Sequence, residues 1–176
     1  MNNSINIIQK KIKQYYKKKG RELPWRKKGK INQNSYETLI SEVMLQQTRV
    51  NTVLKYYKKF LVKFPNLKAL AIAKNEEVLK MWSGMGYYKR AINLHNSAKI
   101  IIKNFAGKIP SEKEELKKLP GIGEYTSSAI ASFAFGKDEV VIDTNVDRFI
   151  SRIFNVNYRE LNSAQKKVFE NKLFPK

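Results

Sequence analysis

At 176 residues the chain is long enough for one compact core, or for two small ones sharing a boundary. Thirty-five Lys and Arg against 15 Asp and Glu leave a formal charge of +20, which attracts polyanions from a distance and makes nucleic acid the leading partner. The absence of cysteine excludes disulfides, thiolate catalysis and Cys-ligated zinc or iron–sulfur sites within these residues, while the lack of any long apolar stretch and the polar start MNNSINIIQKK predict a cytoplasmic protein with no membrane partner.

Apolar residues recur at helical spacing along nearly the whole chain, beginning with Ile5, Ile8 and Ile12, so the sequence predicts an all-α fold. Lysine runs such as Lys17-Lys18-Lys19 and Lys27-Lys28 read equally well as binding surface or as solvated composition bias. Asn75 is placed to cap a helix that runs through Trp82 and stops at Gly84. Ser111 with Glu114 forms a capping-box pattern opening the segment to Lys118, and Pro120 forbids its continuation. From Glu124 the spacing of Ala129, Ile130, Phe133 and Ala134 restarts a helix that Gly136 ends. Residues 140–142 form the one strand-like run, and it is very short. Asp143 then has the grammar of an N-cap before the helical spacing of Val146, Phe149, Ile150 and Ile153. No internal repeat or low-complexity linker is visible.

The stretch LPGIGEYTSSAI, residues 119–130, joins two predicted helices by a hairpin whose glycines permit positive φ or close approach of another backbone. Amides at a helix start bind an anion such as a DNA phosphate, and the small residues Thr126, Ser127, Ser128 and Ala129 would keep that approach clear. A plain αα-corner packed against its own protein satisfies the same pattern.

LPGIG followed by Thr and small residues resembles the helix-hairpin-helix of a large DNA glycosylase superfamily. SEVMLQQTRV (41–50), GMGYYKRAINLH (84–95), LPWR (23–26) and VIDTNVDR (141–148) together resemble the adenine DNA glycosylases, which remove adenine mispaired with 8-oxoguanine or guanine. The resemblance implies a six-helix domain over 28–137, with the hairpin at about 112–136, and a second, incomplete helical domain from 1–27 and 138–176. It implies double-stranded DNA containing a mispaired adenine as partner, a nucleoid-associated location and a monomer. Gln47 would fill the gap left by the adenine and Tyr87 would insert beside the damaged guanine, with Thr48, Gly121, Gly123 and Thr126 also at the DNA. An amide bonds base edges and a phenol ring stacks on them. Taken without the resemblance, Tyr87 and Tyr88 read as core packing after a glycine turn.

Base excision requires an extruded nucleotide, a proton for the leaving base and a retained negative charge for the sugar cation, and two carboxylates meet the last two needs. The resemblance gives the acid role to Glu42, which later activates water, and the cation-stabilising or covalent role to Asp143. At an ordinary pKa of ~4.3 only about 0.2% of Glu42 would be protonated at neutral pH, and a rise of about two units takes roughly 3 kcal/mol of destabilisation of the ionised form. Val43, Met44 and Leu45 offer the apolar setting. Read alone, Glu42 is equally a first-turn glutamate favoured by a helix dipole, and Asp143 an N-cap whose backbone bonds would keep it ionised. Arg148 and Arg152 face phosphate or pair with acids, and His95 reads as a packing or capping residue.

The resemblance places Trp25, Arg26, Leu45 and Tyr125 beside the base pocket. Relatives that also cut the strand carry a lysine where this chain has Tyr125, so hydrolysis without efficient β-elimination is expected. Two departures stand out. Residues 27–35 form a longer stretch than the family pattern, and the resemblance ends at Lys176, before the family's pocket-completing helix, the four-cysteine loop that holds a 4Fe–4S cluster and the domain that reads 8-oxoguanine. Ile5, Ile8 and Ile12 are accordingly expected to lose a burial partner worth roughly 1.5–3 kcal/mol each. A C-terminal segment supplied in trans, a DNA-binding remnant without turnover and a mismatch glycosylase of different base choice are the competing expectations.

Overall fold

The computed structural model describes residues 2–26 and 33–174, so most of the long 27–35 stretch, the Lys27-Lys28 run and the expected domain start at 28 lie outside the described residues. The chain divides into two compact units, Leu23–Glu139 and Met1–Glu22 with Val140–Lys176. Among the described residues there is no strand, only an isolated bridge between Leu23 and Arg26. The run 140–142 is half-buried and has no partner strand, so it stays irregular.

The larger unit is built around α2 (Ser35–Leu45), which packs against α3 (Val50–Lys63), α6 (Lys89–Asn104) and α8 (Glu124–Phe135). A helix covered on so many sides is apolar nearly all round; Leu39, Ile40, Val43 and Met44 are all core residues. Asn34 caps it, its side chain accepting from the Glu37 amide at 3.0 Å. Two short helices, α4 (Leu67–Ile72) and α5 (Asn75–Trp82), pack on α6 and bring Leu70 and Trp82 into the same core.

Two expected caps are replaced. The cap position of α5 is Lys74, whose amide donates to Glu77 at 3.1 Å, while Asn75 lies within the helix with Oδ1 2.7 Å from His95 Nδ1. The single-turn α7 (Lys113–Leu116) starts from Glu112, and the Ser111 hydroxyl donates to the Glu112 carboxylate instead of capping the turn. The hairpin itself forms as the sequence predicts. Leu119 and Ile122 are buried, the Ile122 amide donates to Leu119 O at 3.1 Å, and Gly121 takes φ +75°. Pro second and glycine third is what a turn with positive φ at its third residue requires. Gly136, at φ +65°, ends α8.

In the smaller unit α9 (Thr144–Phe154), a 3₁₀ turn (Tyr158–Glu160) and α10 (Ser163–Leu173) surround Ile150, Tyr158 and Leu173. Asn162 and Gln165 cap α10 reciprocally at 2.9 and 3.0 Å. Helix α1 (Asn2–Lys19) packs on α10, with Gln9 Nε2 donating to Leu173 O at 2.9 Å. Ile5 is therefore only 7% exposed, against expectation, because α10 supplies its burial partner. Ile8 is half-buried and Ile12 exposed.

Candidate functional site

Glu42 lies in the last turns of α2, so it is not the first-turn glutamate of that helix; Glu37 is. It is 6% exposed, beside the buried Ser41 and the core residue Val43. Removing a carboxylate from water without compensation penalises its charged form. Burial pushes the Glu42 carboxyl up to about 7, against the lowering effect of the Arg26 charge. Half of it is thus protonated near neutrality, the state a proton donor needs.

The expected pocket residues divide. Trp25 is buried, edge-on to Tyr57 with ring centroids 5.0 Å apart, and belongs to the core. Arg26 is exposed and lays its guanidinium 5.3 Å from the Phe133 ring. Leu45 is half-buried against the core, and Tyr125 is exposed in the first turn of α8.

Three loops border this region of the larger unit. After α2 the chain turns through residues 46–48, with the Thr48 amide donating to Leu45 O at 3.2 Å and exposed Gln47 at φ +53°. Before α6, Gly84 and Gly86 take φ +88° and +79° and Tyr87 takes φ +51°. Tyr87 is 61% exposed, so the core-packing reading of this residue does not hold. Positive φ at non-glycine residues is costly and collects at functional sites. The third loop is the hairpin. Gly123 is the N-cap of α8 at φ −91°, and a Cβ there would meet nothing within 4 Å. Neither backbone conformation nor internal packing explains that glycine; it leaves the first amides of α8 open to an approaching group.

Thr126 does not share this exposure. It is buried, and its Oγ1 accepts from Gln46 Nε2 at 3.0 Å, a bond that joins the loop after α2 to the first turn of α8. Gln46 and Arg90 are the residues that the motif reading passed over. Arg90 had a visible signal, since it stands four residues before Leu94 and eight before Ala98, in the apolar register of α6. Glu124, legible in the sequence only as a helix start, pairs with Lys113 and, at 2.9 Å, with Lys117 at the start of α8.

In the smaller unit Asp143 caps α9, Oδ1 accepting from the Asn145 and Val146 amides at 2.9 and 2.8 Å. It lines a cleft of about 340 Å³ with Asp147, Arg159 and Lys166 among its walls. Arg159, not Arg148 or Arg152, pairs with Asp147, at 2.6 Å. His95 is buried, and desolvation lowers its pKa, so it packs as the neutral ring.

The comparisons with known proteins decide the family. Residues 40–175 match the model of the HhH-GPD superfamily base excision DNA repair proteins. The chain belongs to this superfamily. It is 42% identical over 152 residues to the adenine DNA glycosylase of Buchnera aphidicola subsp. Baizongia pistaciae, covering 86% of this chain and 42% of that protein. To the human adenine DNA glycosylase it is 42% identical over 144 residues, 79% of this chain and 26% of that protein. A thermostable thymine-DNA glycosylase structure superposes with a TM-score of 0.84 at 29% identity, over 98% of this chain and 78% of that one. The HhH-GPD chain thus spans less than half the length of these two curated relatives. The iron–sulfur cluster implied by the motif resemblance finds no ligands within it: there is no cysteine, and no group of three His, Asp or Glu among the described residues is arranged to hold a metal.

Proposed function

We propose that this chain carries the catalytic region of a monofunctional DNA glycosylase that hydrolyses the N-glycosidic bond of adenine mispaired with 8-oxoguanine or guanine. The buried Glu42, with its carboxyl pushed up to about 7, carries the reading. A core helix that buries a carboxyl at the expense of its charged form loses stability for it above neutral pH, and a half-protonated acid at neutral pH has an obvious use in handing a proton to a departing purine. The names of the curated relatives supply the base.

In this mechanism Gln47 and Tyr87 wedge into the duplex, and the amides at Gly121 and Gly123 hold a phosphate of the strand. The extruded adenine lies against Arg26, Leu45 and Tyr125. Glu42 protonates the adenine as the C–N bond breaks, and Asp143 stabilises or captures the sugar cation. Glu42, now a carboxylate, takes a proton from the water that completes hydrolysis. Trp25 supports the pocket from the core, and Thr48 and Thr126 shape its loops. With a tyrosine at 125 in place of a lysine, no Schiff base forms and the strand stays uncut.

The test is alkali-revealed abasic sites on 8-oxoguanine·adenine duplex under single turnover. Glu42→Gln is expected to lower release about 10²- to 10⁴-fold with duplex binding unchanged. Equal activity of the variant removes Glu42 from the mechanism, and preferential release of thymine or uracil transfers the reading to a mismatch glycosylase of other base choice.

A further inference from the structure

Arg90 is 8% exposed at the start of α6, and its guanidinium is spent on backbone. Nη1 donates to Val43 O at 3.2 Å, Met44 O at 2.7 Å and Gln46 O at 2.5 Å, while Nη2 donates to Gly86 O at 3.0 Å. The guanidinium carbon lies 5.4 Å from the ring centroids of both Trp82 and Tyr87. One side chain therefore caps the C-terminal carbonyls of α2, holds the residue before Gln47 and holds the residue before Tyr87.

The same face of α6 reaches the hairpin. Asn93 stands three residues on, filling the space beside Gly121 so closely that a Cβ there would come within 2.8 Å of its amide nitrogen. Ser97, seven residues on, donates from Oγ to Pro120 O at 3.0 Å. Gln46 Nε2 closes the circuit at 3.0 Å to Gly121 O. Among the described residues no backbone hydrogen bond joins any two of the three loops, and the hydrogen bonds that do join them come from side chains. Seven residues of helix span roughly 10 Å, and α6 serves as a ruler between the wedge loops and the hairpin.

We propose that Arg90 is the positioning residue that presets Gln47 and Tyr87 as one rigid double wedge, so that base extrusion is driven by a preformed tool rather than by loops ordered on contact. Both wedge residues hold a strained positive φ, and strain of that kind persists only where the surroundings over-determine it. A planar fork can bind Gln46 O and Gly86 O together; an ammonium is a point donor and cannot do so while stacked between two rings. The inference rests on the wedge roles proposed above but not on the acid role of Glu42.

The experiment follows extrusion separately from chemistry, with the full chain and a duplex carrying 2-aminopurine opposite 8-oxoguanine, whose fluorescence rises on unstacking. Wild type and Glu42→Gln are expected to give the same rise. Arg90→Lys and Arg90→Met are expected to bind undamaged duplex within threefold of wild type, to lose at least fivefold of the fluorescence rise, and to release adenine at least tenfold more slowly. In the wild type, the hydrogen-bonded amides of Thr48 and Met85, one in each loop, should exchange with a common opening rate, a measurement that holds even if the variants do not fold. Normal extrusion by Arg90→Lys, parallel loss of binding and extrusion in a folded variant, unlinked exchange of the two amides, or no extrusion by wild type each overturns the proposal. Failure of Glu42→Gln to slow release sinks the acid role instead and leaves the extrusion readout standing.

Discussion

The Glu42→Gln substitution should stabilise the larger unit, and by an amount that depends on pH. The carboxyl is raised from an unfolded value of 4.5 to about 7. Between those values the folded state holds a proton that the unfolded state has released, so stability falls as pH rises, and the full penalty is present above pH 7 and absent below 4.5. A shift of about 2.5 units at 1.36 kcal/mol each gives roughly 3 kcal/mol at pH 8, an upper value because water can relax into the site. Gln carries no such penalty. Both tryptophans of the chain, Trp25 and Trp82, lie in the core of the larger unit, so their fluorescence in a urea titration reports that unit selectively. The expected result is a variant more stable than wild type by about 3 kcal/mol at pH 8 and equal to it near pH 4.5. A variant equally stable at both, or less stable at pH 8, would mean that Glu42 is ionised at no cost in the fold, and the acid argument would fail with it.

Asp143 has two separable roles: Asp143→Asn keeps an acceptor for the Asn145 and Val146 amides and should leave stability within a few tenths of a kcal/mol, whereas Asp143→Ala should lose about 1 kcal/mol; both should lose adenine release, because charge and not capping is what the sugar cation needs. Glu124→Gln removes the carboxylate shared by Lys113 and Lys117 at the start of α8 and leaves each lysine one longer ion pair, to Glu139 at 3.5 Å and Glu114 at 3.4 Å, so duplex affinity should rise and the salt dependence of log Kd steepen by up to about one phosphate equivalent, read by anisotropy titrations across a salt series. Gly123→Ala, which meets no clash within the chain, should leave thermal stability nearly unchanged yet weaken duplex binding; unaltered binding would show that nothing approaches that turn.

What was legible in the sequence follows from how local each signal is. The hairpin, the α8 stop at Gly136 and the Asp143 cap depend on residues within a few positions of one another, and each formed as read. The caps at Asn75 and Ser111 failed where a better local or tertiary partner took the side chain: His95 in one case, Glu112 in the other. The burial of Ile5 is not legible because Leu173, in the same cluster, lies far along the chain, and no periodicity announces a contact of that separation. Glu42 and Gln47 stood out only through the family motif; burial, which gives Glu42 its chemistry, comes from α3, α6 and α8 closing around α2. Arg90 and Gln46 were the hardest to see. Their importance lies in which carbonyls they reach, and a one-dimensional pattern records only that a polar residue sits in an apolar register.

A pH–rate profile for single-turnover adenine release reads the protonation state of the buried Glu42 in the reaction itself. With Glu42 as the donor, the rate should hold steady on the acid side and fall tenfold for each pH unit above about 7. A rate that stays flat or climbs from pH 7 to 9 would contradict it.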